Sequence, residues 1–456
     1  MTLKEQIKGY QEEMLEQIGR LVKYNSVREE ALPDKPFGEG PAAALEEALT
    51  MAEEMGFKTV NLDNYCGYAE IGHGEEIIGI VGHLDIVPAD DGWHYDPFSL
   101  TIEGDQVFGR GTTDDKGPVV MAMYAMKIIK DSGIPLNKRI RLIMGCDEEC
   151  GSECMEYYTK IAEPVTMGFT PDASFPGIYG EKGILHIKAM SKNTKIVSIQ
   201  GGTVINAVCH HCTTVIPAGE VDADALKAAL ADTPLVSFDV EESETNSKPT
   251  LTIHAEGIAA HASTPKLGIN AAGHTMAALK AAGFEDDFVD FYNEHIGTSC
   301  DGAGCGLNLS DEYGDLTFNN GTIKMKNGKI TATIDIRVPV TFTREFLQKA
   351  FKPEIDQEKG SFGMLGYDDP LFFPPDSELV KALEGAYVEV TGDTRNKPAV
   401  IGGGTYAKSI PGIIAFGPEQ PDMDYRIHNS DEFMLISEML TATEVYVKAI
   451  ENMLAL

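Results

Sequence analysis

Apolar residues recur at helical spacing near the start of the chain. Ile7, Tyr10, Met14, Ile18 and Leu21 mark one face of residues 3–23 and predict an amphipathic helix. A second helix is predicted near 41–55, PAAALEEALTMAEEM. Residues 77–87, IIGIVGHLDIV, are apolar on both faces, as in a strand buried inside a sheet. GPVVMAMYAMKIIKD (117–131) has the pattern of a helix, and RIRLIMG (139–145) that of a second buried strand. Strand, helix and strand in that order imply a right-handed crossover and an α/β sheet.

Near residue 186 the texture shifts. Alternating segments such as LTIHAEG (251–257) and ITATIDIRV (330–338) mix with shorter helices and polar loops, as in an α+β domain. After about 384 the α/β texture returns, with an apolar strand in GIIAFGP (412–418) and a closing helix over 430–453. The expected organisation is a discontinuous α/β domain over 1–185 and 384–456, interrupted by an inserted α+β domain over 186–383. A chain of 456 residues is long enough for two cores.

Charge narrows the functions open to it. The formal net charge is −34, which repels nucleic acid and anionic membrane alike. The start, MTLKEQIKGYQEEML, has no apolar signal region, and no run of eighteen apolar residues occurs, so a cytoplasmic protein is expected. Eight cysteines do not make a disulfide framework at this length. Cys209, His210, His211 and Cys212 look like a metal knuckle, but a strand there would point Cys209 and Cys212 to opposite faces.

The candidate chemistry sits at the ends of the predicted elements. Strand 139–145 runs directly into Asp147, Glu148 and Glu149. Such a cluster is either a solvated turn favoured by a helix start or a site that finds a cation. Strand 77–87 delivers His83 and Asp85, two apart and on one face, and open α/β sheets bind ligands beyond the ends of their strands. Asp114 and Asp115 precede the helix at 117. Asp172 lies in a loop between Pro171 and Pro176, and His428 immediately precedes the predicted closing helix. Two imidazoles with several carboxylates suit a pair of divalent ions.

These segments resemble a known family. GHLDIVP (82–88), GWHYDPF (92–98), GRGTTDDKGP (109–118), DEECG (147–151), TPDASFPGIYGEKG (170–183), HASTPKLGINA (261–271), GGGTY (402–406) and His428 are similar, in this order, to the two-metal peptidases that include aminoacylase, carnosinase and bacterial dipeptidases. The spacing is most similar to dipeptidases of the peptidase V type. The resemblance implies an αβα-sandwich catalytic domain of the zinc-exopeptidase type with an inserted lid. It implies that His83 and Asp172 hold one metal, Glu149 and His428 the other, and that Asp114 bridges them. Asp85 would orient His83, and Glu148 would be the general acid/base acting on a water shared by the two metals. His261 would steady the oxyanion, Asn206 would contact substrate, and Arg337 with Gly403, Gly404 and Thr405 would receive the substrate carboxylate. Lys408 stands where the family usually has an arginine, and the peptide between Asp114 and Asp115 is typically cis. The expected reaction is dipeptide hydrolysis by a monomer with two divalent ions, Zn2+ or Mn2+. The alternative is an N-acyl-amino-acid amidohydrolase of the same family.

Overall fold

The computed structural model describes residues 2–233, 235–245, 247–351, 358–421 and 423–456. The chain divides into two compact units. One comprises Met1–Gly180, Phe373–Val400 and Gly404–Leu456, and the other Glu181–Phe372 and Ile401–Gly403. The texture of the sequence suggests divisions near 185 and 383 instead; the helix Glu378–Thr391 belongs wholly to the first unit.

In the first unit the main sheet runs, in spatial order, Lys58–Leu62, Cys66–Gly72, Arg139–Gly145, Ile77–His83, Met167–Thr170, Ile413–Ala415 and Ile178–Glu181. Its centre is parallel, from Arg139–Gly145 through Ile77–His83 and Met167–Thr170 to Ile413–Ala415. Every residue of Ile77–His83 is buried, as a strand covered on both faces requires. Gly168 permits a close approach here, because a Cβ on it would fall 1.8 Å from the Gly79 carbonyl oxygen. The crossover helix is Lys116–Asp131, buried along most of its length.

Three sequence expectations shift. The opening helix divides into Leu3–Gly9 and Gln11–Val22, joined at Tyr10 directly after Gly9, whose low helix propensity favours a break there. The strand expected over 77–87 stops at His83, because its parallel partner ends at Gly145, whose carbonyl takes a last bond from the Leu84 N–H at 2.9 Å. Asp85 therefore lies in a buried loop. The closing helix begins at Ile436, not near 430. Before it, Arg426, His428 and Asp431 take left-handed φ values of 58°, 62° and 58°, which no α-helix accommodates, and Phe433–Leu435 pairs with Gln106–Phe108.

The second unit holds an eight-stranded antiparallel sheet in the order Ser237–Thr245, Lys248–Glu256, His211–Pro217, Ser198–Gly201, Thr317–Lys326, Lys329–Val338, Gly183–Ser191 and Gly360–Asp368. One face packs with the helices Ala271–Ala281 and Asp287–His295 into an apolar core. Cys209 and Cys212 both lie inside that core as ordinary packing residues.

Candidate metal centre

The sheet of the first unit delivers its polar residues just past the strand ends. His83 closes its strand and is fully buried. Its Nε2 lies 2.8 Å from Asp114 Oδ1 and 3.9 Å from Asp172 Oδ2. Its Nδ1 lies 3.0 Å from the Asp85 carbonyl oxygen, an acceptor that keeps the proton on Nδ1 and leaves the Nε2 lone pair as the one that could meet a cation. The other oxygen of Asp114 lies 2.9 Å from Nε2 of His428, which is 3.3 Å from Glu149 Oε2. A single carboxylate thus spans two imidazoles. The Asp114–Asp115 peptide is cis.

The carboxylate of Asp85 has a task the sequence did not suggest. Its two oxygens accept the main-chain N–H groups of Glu148 at 3.0 Å and Glu149 at 3.1 Å, so one buried acid fixes the segment that carries both glutamates. Asp147, the first acid of the DEE run, points elsewhere. It is fully buried and takes two bonds from Arg28 Nη1, at 2.7 and 2.9 Å. The three adjacent acids therefore have three separate environments.

The electrostatics show why this cluster suits cations. Burial, with the charge of Asp114 next, pushes Asp172 up to about 8. Burial and the nearby Asp172 lift Glu148 well above the usual carboxylate range. Burial opposes the charged form of His83, but its bonds to Asp114 and Asp85 outweigh that and raise it. His428 is raised to about 10 by its bonds to Asp114 and Glu149. Donor atoms of His83, Asp114 and Glu149 lie within 4.8 Å of one another, as do those of His83, Glu148 and Asp172. Imidazole nitrogen and carboxylate oxygen without thiolate match divalent ions such as Zn2+ and Mn2+.

The remaining expected residues lie mostly in the second unit, where three of them share one neighbourhood. Ala207 and His261 form an antiparallel bridge, and the Ala262 N–H donates to the Asn206 carbonyl at 2.9 Å. Thr317 donates from Oγ1 to the Ala262 carbonyl at 3.0 Å and is the register partner of Arg337. Asn206 and His261 are both exposed. The His261 Nδ1 accepts the Ser263 N–H at 3.2 Å, which puts the ring proton on Nε2. Arg337 is 4% exposed and already engaged: Nε and Nη2 donate to Asp335 at 2.7 and 2.9 Å, and Nη1 to the Gly402 carbonyl at 2.8 Å. Gly403 belongs to this unit, while Gly404 and Thr405 belong to the first, where the Thr405 hydroxyl accepts the Ala407 N–H.

Sequence reasoning missed Asp335, Glu432 and the main-chain role of Asp85. Asp335 sits two residues before Arg337 on the same face of its strand, a spacing that could have announced the pair. Glu432 lies in the SDEF segment after His428, inside the span where the sequence predicts the closing helix, yet it precedes that helix and is buried beside Arg110.

Known proteins resemble this chain both in sequence and in fold. Residues 79–452 match the peptidase family M20/M25/M40. YtjP of Bacillus subtilis, which bears a provisional dipeptidase name, is 36% identical over 456 residues, covering 96% of each chain. A Staphylococcus haemolyticus protein with a similarly provisional dipeptidase name is 32% identical over 468 residues, covering 99% of each. Among solved structures, human carnosine dipeptidase 1 has the same fold, with a TM-score of 0.60 at 15% identity, covering all of this chain and 98% of that one. The chain belongs to the M20/M25/M40 peptidase family.

Proposed function

We propose that this member of the M20/M25/M40 peptidase family hydrolyses dipeptides and uses two divalent ions, Zn2+ or Mn2+. His83, Asp114 and Asp172 would hold one ion, and Asp114, Glu149 and His428 the other. The observation that carries this reading is the Asp114 carboxylate, which lies 2.8 Å from one imidazole and 2.9 Å from the other. Bound divalent ions supply Lewis acidity, which acidifies water and polarises a peptide carbonyl.

Glu148 is the proton carrier in this reading. Its main chain is fixed by Asp85, and burial raises its carboxyl well above the usual carboxylate range, which favours its taking up a proton. It takes the proton from the attacking water and delivers it to the leaving amine. His261, protonated on Nε2, donates to the developing oxyanion. Arg337, its fork fixed by Asp335, has N–H groups left for the substrate's C-terminal carboxylate, helped by Gly403, Gly404 and Thr405, while Asn206 contacts substrate beside His261.

The dipeptidase names of YtjP and its staphylococcal counterpart favour dipeptides over N-acyl amino acids. The test is a panel of dipeptides, tripeptides and N-acetyl amino acids, with and without chelator. Chelator-sensitive turnover of dipeptides above the rest is expected. Faster cleavage of N-acetyl amino acids would make the chain a deacylase, and undiminished activity after full chelation would remove the ions from the reaction.

A further inference from the structure

Three main-chain N–H groups of the loop that presents Asp114 converge on a carboxylate that none of the chemistry above employs. Glu432 is 1% exposed. Its Oε1 accepts from Gly111 at 3.1 Å, Thr113 at 3.0 Å and Asp114 at 3.2 Å, and its Oε2 accepts from Arg110 Nη1 at 2.8 Å. Arg110 is equally enclosed; it also donates from Nη2 to the Pro88 carbonyl at 3.3 Å and lies against the Trp93 ring. The same two segments are joined by the Gly109 N–H to the Glu432 carbonyl at 3.1 Å and by Thr113 Oγ1 to the Phe433 carbonyl at 2.7 Å.

Glu432 stands four residues after His428, at the end of the stretch with left-handed Arg426, His428 and Asp431. Such residues keep their conformation only where the surroundings impose it. One side chain therefore ties the loop carrying Asp114 to the segment carrying His428. A buried acid bonded at both oxygens also holds its neighbours more tightly than an apolar contact would, because releasing any donor leaves it unsatisfied.

We propose that Glu432 is a positioning residue for the metal centre: it sets the spacing between Asp114 and His428, and with it the affinity for the ion held by Asp114, Glu149 and His428. The ion held by His83, Asp114 and Asp172 depends on only one of the two tied segments and is affected less. This inference rests on the two-ion reading above. Loss of an outer partner of a metal ligand typically weakens affinity by about 10- to 100-fold.

The experiment titrates Mn2+ alone into the chelator-stripped full chain by calorimetry, for wild type and Glu432→Gln, and records the unfolding midpoint of each stripped protein. The glutamine keeps the shape but turns an N–H2 toward Arg110, donor against donor. The expected result is two ions in wild type and, in the variant, a loss of about 10- to 100-fold at one site with a much smaller change at the other. A lowered midpoint with both binding constants unchanged, or equal losses at both sites, would overturn the proposal. If Glu432→Gln does not fold, Arg110→Lys leaves the three N–H contacts in place and is expected to give the same asymmetry at smaller size; unchanged constants there would also overturn it. A wild-type chain that takes up only one ion overturns the two-ion reading itself, an outcome read from the wild type alone.

Discussion

Buried charge is closed on itself in the Asp335–Arg337 pair of the second unit, as in the Arg110–Glu432 pair of the first, and left open in the first unit's cluster of ligand-type residues. Asp335 receives two bonds from Arg337, at 2.7 and 2.9 Å, and lies 3.1 Å from His186, so acid and base satisfy one another. In the first unit Asp114, Glu148, Glu149 and Asp172 crowd two imidazoles, and among the described residues no Lys or Arg makes an ion pair with any of them. The contrast separates two uses of buried charge. A closed pair fixes geometry, and its removal harms mainly what it positions. An open cluster of ligand atoms is unfavourable by itself and becomes favourable only when cations enter.

The largest expected effect sharpens the contrast inside the open cluster. Glu148→Gln should keep both ions and lose about 100- to 10,000-fold in turnover, the range for a missing general base. Glu149→Gln should lose metal instead. Metal analysis alongside kcat checks the pair, and equal metal loss in both variants would erase the proposed difference between them.

The next effect tests whether the closed pair also serves substrate. Arg337→Ala is expected to lower kcat/KM for a dipeptide by about 10- to 150-fold, the value of a charge-assisted contact, and to hurt the C-terminal amide less. Equal losses on acid and amide, together with a lower unfolding midpoint, would make the Asp335–Arg337 pair purely structural.

Chelation probes the open cluster through stability. An ion present at about 100 times its Kd stabilises by about 2.7 kcal/mol, so chelator should lower the unfolding midpoint and Mn2+ or Zn2+ should restore it. An unchanged midpoint in calorimetry would mean the cluster holds no ion in solution. The smallest effect concerns the segment beside Arg337. Thr317→Val removes the 3.0 Å bond to the Ala262 carbonyl next to His261 and should cost about 1 kcal/mol in urea denaturation. A variant as stable as wild type would make that bond irrelevant to holding the His261 segment.

How much of this was legible in the sequence divides in a similar way. The buried strands, the crossover helix and the change of texture near residue 186 are readable from periodicity, since burial on both faces leaves an unbroken apolar run. His83, Glu148 and Glu149 could be found because they end or follow those strands, and Asp114 because it precedes the crossover helix. Strand and helix limits were less readable: the strand stops at His83 because its partner ends, and the segment after His428 is shaped by left-handed residues and pairing with Gln106–Phe108. Those are facts of tertiary partners, which local pattern does not contain. Asp85 illustrates the limit for the site: its place beside His83 was readable, but its hold on the Glu148 and Glu149 main chain depends on a loop closing from 63 residues away.

The central claim is that Asp114 serves two ions at once. The most direct measurement is metal content against activity as Zn2+ or Mn2+ is added stepwise to stripped protein. Full dipeptidase activity is expected to coincide with two ions per chain, and Asp114→Asn to lower occupancy at both sites. Full activity with one ion per chain, or an Asp114→Asn protein that keeps two ions bound as tightly as wild type, would contradict it.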